Sequence, residues 1–338
     1  MGFHRRLAPS SGFDRGAGAA LSVLSATAAV LGAVPAGAAP HTDTRAEVDR
    51  LYEEAEQVTE AYNKADEHAG TLRRQIRDAQ DQIARQQQRV NTMREKVGSL
   101  AGAQYRSGGI DPAVALLLSS DPADYLDKAS LLDRIGARQA GELRELQSAV
   151  RSLHQERAEA ARKLADLQKS RTDVASYKRT VERKLARAQE LLDTLPYAER
   201  AAYERASRDG RFDFSGFGDA TPLGARAAAA VAAARSALGR PYVWGASGPS
   251  SFDCSGLMQW SYAQAGVHLP RTSQEQRYAG HRVPLSQARP GDLVVYRSDA
   301  SHVAMYVGNG QVIHAPYPGA AVRYDPVGML PISSVTRV

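Results

Sequence analysis

Two runs of apolar or small residues, spaced alternately three and four apart, dominate the first two thirds of the chain. The first passes through Val48, Leu51, Ala55, Val58, Tyr62, Leu72, Ile76, Val90 and Val97 to Leu100, with one polar slot at Gln86. The second runs from Leu143 through Leu146, Val150, Leu153, Leu164, Leu167, Val181, Leu185 and Leu192 to Leu195, with polar slots at Arg157, Arg171 and Lys178. A sustained seam of this period demands two helices wound against each other. The spans are equal, and at about 1.5 Å per residue each arm is roughly 80 Å long. Equal arms in one chain predict an antiparallel coiled-coil hairpin over 43–206, in which facing residue numbers sum to 243. Gln86 then faces Arg157, a matched polar layer of the kind that fixes register.

The segment 105–138 joins the arms and carries its own helical signals. Ser107-Gly108-Gly109 breaks the first helix, Asp111-Pro112 caps a short apolar helix over 113–118, and Ser120-Asp121-Pro122 starts another with Tyr125, Leu126, Leu131 and Leu132. These apolar residues form a helical tip. They either fold over the hairpin's end or offer a docking surface.

Residues 1–38 read as an export signal: Arg5, Arg6 and Arg15, an uncharged run from Gly16 to Val34, then the small residues Ala36-Gly37-Ala38 before cleavage. Residues 207–221, rich in Gly and Asp, read as a linker, although Phe212, Phe214 and Phe217 are unusual there and could occupy a groove of the following domain. From Pro222 onward there are ten Arg, no Lys and five acidic residues, a net +5 suited to a polyanion. The export signal favours anionic wall polymer over nucleic acid as that partner, so no nucleic-acid binding is expected.

Residues 222–338 form the globular part. Thr221-Pro222 begins an Ala-rich helix ending at Leu238-Gly239. A second helix spans Asp253 to Ala265 and closes at Gly266, and a third starts near Thr272 or Ser273. Strands follow at 292–296, 302–307 and 311–315, the last two flanking Gly308-Asn309-Gly310. Helices first and an antiparallel sheet afterwards predict an α+β domain.

Cys254 is the single cysteine. An unpaired thiol in an exported chain is a reactive candidate. With Asp253 as N-cap, it would open a helix, where free N–H groups and the positive dipole end lower a thiol's pKa and can hold an oxyanion. His302 starts a strand and His314 lies on its partner, so both are candidates to serve the thiol. A zinc site of Cys254, His302 and His314 ranks below a nucleophile, and no metal or cofactor is expected. For His314 to reach His302 it must share that residue's face. A plain two-residue turn at Asn309-Gly310 places it opposite Met305, on the wrong face. A three-residue loop, or a bulge of equal effect, places it opposite Ala304 on the right one.

The ordered motifs Pro241-Tyr242-Val243-Trp244-Gly245, Asp253-Cys254-Ser255-Gly256-Leu257, Arg271-Thr272-Ser273, Pro290-Gly291-Asp292-Leu293, His302-Val303-Ala304 and Ile313-His314-Ala315 resemble those of NlpC-type peptidoglycan endopeptidases. The resemblance covers about 225–338. It implies a papain-like fold and cleavage of wall stem peptides between D-glutamate and the following diamino acid. It assigns Cys254 as nucleophile, His302 as base and His314 as the residue orienting it. Tyr242, Asp253, Ser255, Arg271 and Ser273 would lie around the substrate. Ala246 stands where the family often has a second Gly, which bears on groove width. The helical half resembles that of actinobacterial hydrolases of cell separation, which implies a regulatory arm whose tip docks on a membrane-bound division complex. Two other readings stand beside it: a papain-like amidase or acyltransferase served by the same three residues, and a non-catalytic coiled-coil scaffold that recruits other hydrolases, against which the intact set of Cys254, His302 and His314 argues.

Overall fold

The computed structural model describes residues 41–106, 114, 122–201 and 224–338. The segments proposed as export signal and linker, with the three Phe residues, the break at 107–109 and Thr221-Pro222, lie outside them.

Helix α1 spans His41–Arg106 and α2 spans Pro122–Thr194. At 66 and 73 residues they are about 100 and 110 Å long. Pro122, expected to open a tip helix, is instead the first residue of α2, where a missing N–H is harmless. The two helices pack antiparallel in the expected register. Val48 and Leu51 cluster with Leu195 and Leu192, Ile76 with Leu167, and Val90 with Leu153, each pair summing to 243. The polar layer is offset by one residue: Arg157 donates to Gln87 at 2.5 Å, and Gln86 donates to Glu156 at 3.5 Å. No described helix is long and apolar enough to cross a membrane.

The C-terminal part carries α3 (Ala225–Ser236), α4 (Cys254–Gln264) and α5 (Ser273–Gln276) before a six-stranded antiparallel sheet. Its strands are β1 (His281–Val283), β2 (Leu293–Tyr296), β3 (His302–Gly308), β4 (Gln311–His314), β5 (Arg323–Pro326) and β6 (Ile332–Arg337), in the order β1-β6-β2-β3-β4-β5. One face, with Leu293, Val303, Met305 and Ile313, packs on Val231 of α3 and on Leu257, Met258 and Tyr262 of α4. The other, with Val294, Tyr296, Ala304 and Val312, is covered by Val283, Val327, Met329 and Leu330. The three strands expected from sequence are present. β1, β5 and β6 were not expected, being short or interrupted by Pro and polar residues.

The β3–β4 turn combines both geometries considered above. Gly308 pairs with Gln311, so Asn309-Gly310 is a two-residue turn, with φ of 53° and 71° as its primed type requires. The register then shifts between Tyr306 and Gly308, so that Tyr306 pairs with Val312 and Met305 with Ile313. Val307 is the extra residue of a bulge. The next position along brings His314 opposite Ala304, on the face of His302.

Ile313 is fully buried between sheet and helices. Ile313→Ala is expected to lower stability by about 2–5 kcal/mol, measured by denaturant unfolding of the whole chain with the α1–α2 signal followed separately.

Candidate functional site

Asp253 caps α4 as its sequence predicts: its Oδ1 accepts from Gly256 N at 2.7 Å. Gly256 is required by close approach, since a Cβ there would lie 2.2 Å from the Ala246 carbonyl oxygen. Cys254 is thereby held at the first helical position against the start of β3, its Sγ 3.9 Å from Ser301 O. His302 opens that strand, and its Nε2 lies 2.8 Å from His314 Nδ1. His314 Nε2 lies 2.7 Å from Asp325 Oδ2, and Arg323 also donates to that oxygen at 2.8 Å. Asp325, on β5, thus ends a relay that sequence reasoning stopped at His314. An aspartate two residues past an Arg in an unexpected edge strand gave no signal of its own.

The order of the relay fixes its protons. Asp325 only accepts, so His314 donates from Nε2 and accepts at Nδ1, and His302 donates from Nε2. Burial holds the His314 imidazole down to about 4, against the opposing pull of Asp325. Asp325 is itself held below the usual carboxylate range: burial opposes this, but His314 and Arg323 outweigh it.

The proposed substrate set divides. Asp253 and Arg271 are joined by a two-pronged ion pair, Nη2–Oδ2 at 2.6 Å and Nη1–Oδ1 at 3.0 Å. Arg271 also donates to Ser255 Oγ at 2.9 Å. Ser273 Oγ donates to Ala300 O at 2.7 Å. Tyr242 is buried in the same core cluster as Cys254.

What sequence missed is the arm. One face of α1 enters the site, with Glu56, Thr59, Glu60 and Asn63 each less than a tenth exposed. Glu56 Oε1 is hydrogen-bonded to His302 Nδ1, and its Oε2 accepts from Arg297 at 2.5 Å. Glu60 Oε1 accepts from Ser255 Oγ at 2.7 Å and stands 3.8 Å from Cys254 Sγ, while Oε2 accepts from Ser273 N at 2.7 Å. Asn63 donates to Asp253 at 3.1 Å. Tyr62 meets Trp244 edge-on, and Tyr52 stacks on Tyr317. Cys254 is 1% exposed as a result. A cleft of about 540 Å³ remains beside His302 and His314, lined by Asp49, Tyr52, Arg297, Tyr317, Arg323 and Asp325.

This cover reverses the expectation for the thiol. Burial pushes Cys254 well above its ordinary value, with Glu56, Glu60 and Asp253 adding to it, against the N–H of Val303. The helix start is present but outweighed. Burial and Asp253 push Glu60 up to about 7, against Ser255, Ser273 and Arg271. Glu56 goes the other way: burial would raise it, but His302 and Arg297 hold it low.

Residues 239–333 match the NlpC/P60 family. This part of the chain is an NlpC/P60 domain. The chain is 43% identical over 118 residues to a probable endopeptidase of Corynebacterium glutamicum, and 44% identical over 99 residues to one of Mycobacterium tuberculosis. These stretches cover 35% and 29% of this chain but only 56% and 26% of the relatives, so the chain spans about half or less of their length. Among solved structures, the NlpC/P60 domain of the peptidoglycan hydrolase SagA is 39% identical over 98% of that domain and 33% of this chain, with a TM-score of 0.32. The matched stretch begins after α3, so α1 and its glutamates lie outside it.

The relay predicts that His314 stays neutral, with its proton on Nε2, from pH 8 down to about 4. Nitrogen-15 spectra of the imidazoles across that range check it. In Asp325→Asn the amide can offer Nε2 either a donor or an acceptor, and the tautomer preference should be lost.

Proposed function

We propose that the chain is an exported peptidoglycan endopeptidase held latent by its own helical arm. The observation that carries this reading is the line Cys254–His302–His314–Asp325 at the start of α4, with two arm carboxylates seated on it. Once α1 withdraws, His302 Nδ1 is freed from Glu56 and can take the thiol proton of Cys254. The thiolate attacks the carbonyl carbon of the scissile peptide bond, and N–H groups at the start of α4 receive the oxyanion. The imidazolium then gives its proton to the leaving amine. Water, deprotonated by the same ring, releases the acyl group and restores the thiol. His314 and Asp325 hold the ring in the required tautomer. The substrate is the wall stem peptide, cut between D-glutamate and the diamino acid. Support comes from the family, from SagA's description as a peptidoglycan hydrolase, and from the groups that now hold Glu60. Ser255 Oγ and Ser273 N are donors suited to a substrate carboxylate or carbonyl. The arm's distal end is the part that would dock on a membrane-bound division complex and draw α1 away.

Mass analysis of fragments released from purified wall tests the reaction. Cys254→Ala should release none, and products ending in D-glutamate are expected from the active protein. Products carrying an intact stem freed from sugar would instead identify an amidase. The double change Glu56→Ala with Glu60→Ala should raise the rate of wall cleavage and of Cys254 alkylation by at least about tenfold, since each lost buried bond to a charged group is worth roughly 1.5–3 kcal/mol. Unchanged rates would remove the arm from control.

The latch should also respond to pH. Glu60 has a raised pKa in the covered state, so protonation favours closure. That contribution is complete below the ordinary value near 4.5 and is lost as pH rises through about 7. Glu56, held low, works in the opposite sense and weakens closure only as pH falls below its ordinary range. Between about pH 5 and 8, alkylation of the wild type relative to Glu60→Gln should therefore increase with pH, because the neutral amide cannot lose a proton.

A further inference from the structure

We propose that the covered site is also a zinc-binding site, formed by Cys254 Sγ, His302 Nδ1 and a carboxylate oxygen of Glu56, and that the ion locks the arm in place. The inference rests on the covered arrangement of α1, not on the peptide-cleaving reading. The three ligand atoms come from three elements, α4, β3 and α1, are all buried, and lie within 4.8 Å of one another. Thiolate, imidazole and carboxylate together are a donor set suited to zinc. His314 is not part of it, because its Nδ1 is engaged with His302 Nε2.

The hydrogen bonding of the relay is the second observation. Asp325 forces His314 to accept from His302, so His302 carries a proton on Nε2 and presents Nδ1 to Glu56. Glu56 is an acceptor with its other oxygen paired to Arg297. The hydrogen bond between His302 Nδ1 and Glu56 holds a hydrogen at the place an ion would take. The thiol, 1% exposed, faces the same buried point. Zinc would replace two protons, one from the Cys254 thiol and one from the hydrogen bond between His302 Nδ1 and Glu56, both passing to solvent. Two anionic ligands then neutralise the ion. A hydrogen-bonded carboxylate and ring stand closer than two ligands of one ion, so Glu56 would have to move outward on binding. Glu60 Oε1, 3.8 Å from the sulfur, is a candidate for a fourth position.

Because one ligand belongs to the arm and two to the site, an ion bound there favours the covered state by mass action and competes with any reaction at the thiol. Chelation would then raise activity rather than abolish it.

The test is titration of the untagged, metal-stripped chain with cobalt(II) and zinc(II), reading near-ultraviolet sulfur-to-cobalt charge transfer, equilibrium dialysis and proton release. One ion per chain, a thiolate band, and release of two protons are expected. Cys254→Ser should lose the band. Glu56→Gln should weaken binding at least about tenfold, and Glu56→His, which offers an imidazole at the same place, should restore it. Circular dichroism checks that each variant is folded. Binding without a thiolate band, binding unaffected by Glu56→Gln, or no uptake at all would each overturn the proposal. None of these readouts depends on wall cleavage, so an inactive protein that binds zinc would count against the peptidase reading alone.

Discussion

Everything about this site depends on how two buried carboxylates are compensated. Taking a carboxylate out of water costs several kcal/mol unless charges and donors replace the lost solvent. Glu56 finds them in His302 and Arg297, and Glu60 in Ser255 and Ser273. Three of those four partners are residues assigned to chemistry or substrate. In the proposed function, closure and turnover would therefore draw on the same donors and exclude each other.

The spacing of the two glutamates makes the contact specific. Residues four apart stand about 6 Å along one helical face. That separation lets Glu56 meet the start of β3 while Glu60 meets the starts of α4 and α5. Val48, Leu51 and Ala55 on the neighbouring face are buried as well, the first two against Ala188, Leu192 and Leu195 of α2. One stretch of α1 is thus fixed by two surfaces at once. A slip of one residue in the α1–α2 register would turn the helix by about 100° and carry both carboxylates out of the site.

Much of this was legible in the sequence because it follows short-range rules. The heptad seams dictated the pairing of α1 with α2, down to which residues face each other. Asp253 before Cys254 dictated the helix start, and alternation along β3 dictated that His314 needed one extra residue to reach His302. The form that residue took, a bulge at Val307 beside a two-residue turn, lay between the options that pattern alone distinguishes. Glu56, Glu60 and Asp325 were not legible. Charged residues off a heptad seam are usually solvated, and nothing local separates Glu56 from Glu53 or Glu54. The burial of the two glutamates is set by a surface 194 to 246 residues away in sequence. The same holds for Asp325, which matters only because β5 lies beside β4.

The thiol shows why a local rule can be sound and still give the wrong sign. A helix N-terminus does favour a thiolate, and Cys254 does occupy one. That effect acts through a few N–H groups. Against it stand the loss of water and three carboxylates, two of them supplied by α1. In the proposed opening, withdrawal of α1 would remove both of those, readmit solvent and free Nδ1 of His302 from Glu56. The terms that hold the proton on sulfur then fall away together, while Val303 N–H and the helix start remain. Whether Cys254 is inert or nucleophilic is therefore not a property of its own motif but of where residues 56–60 happen to be.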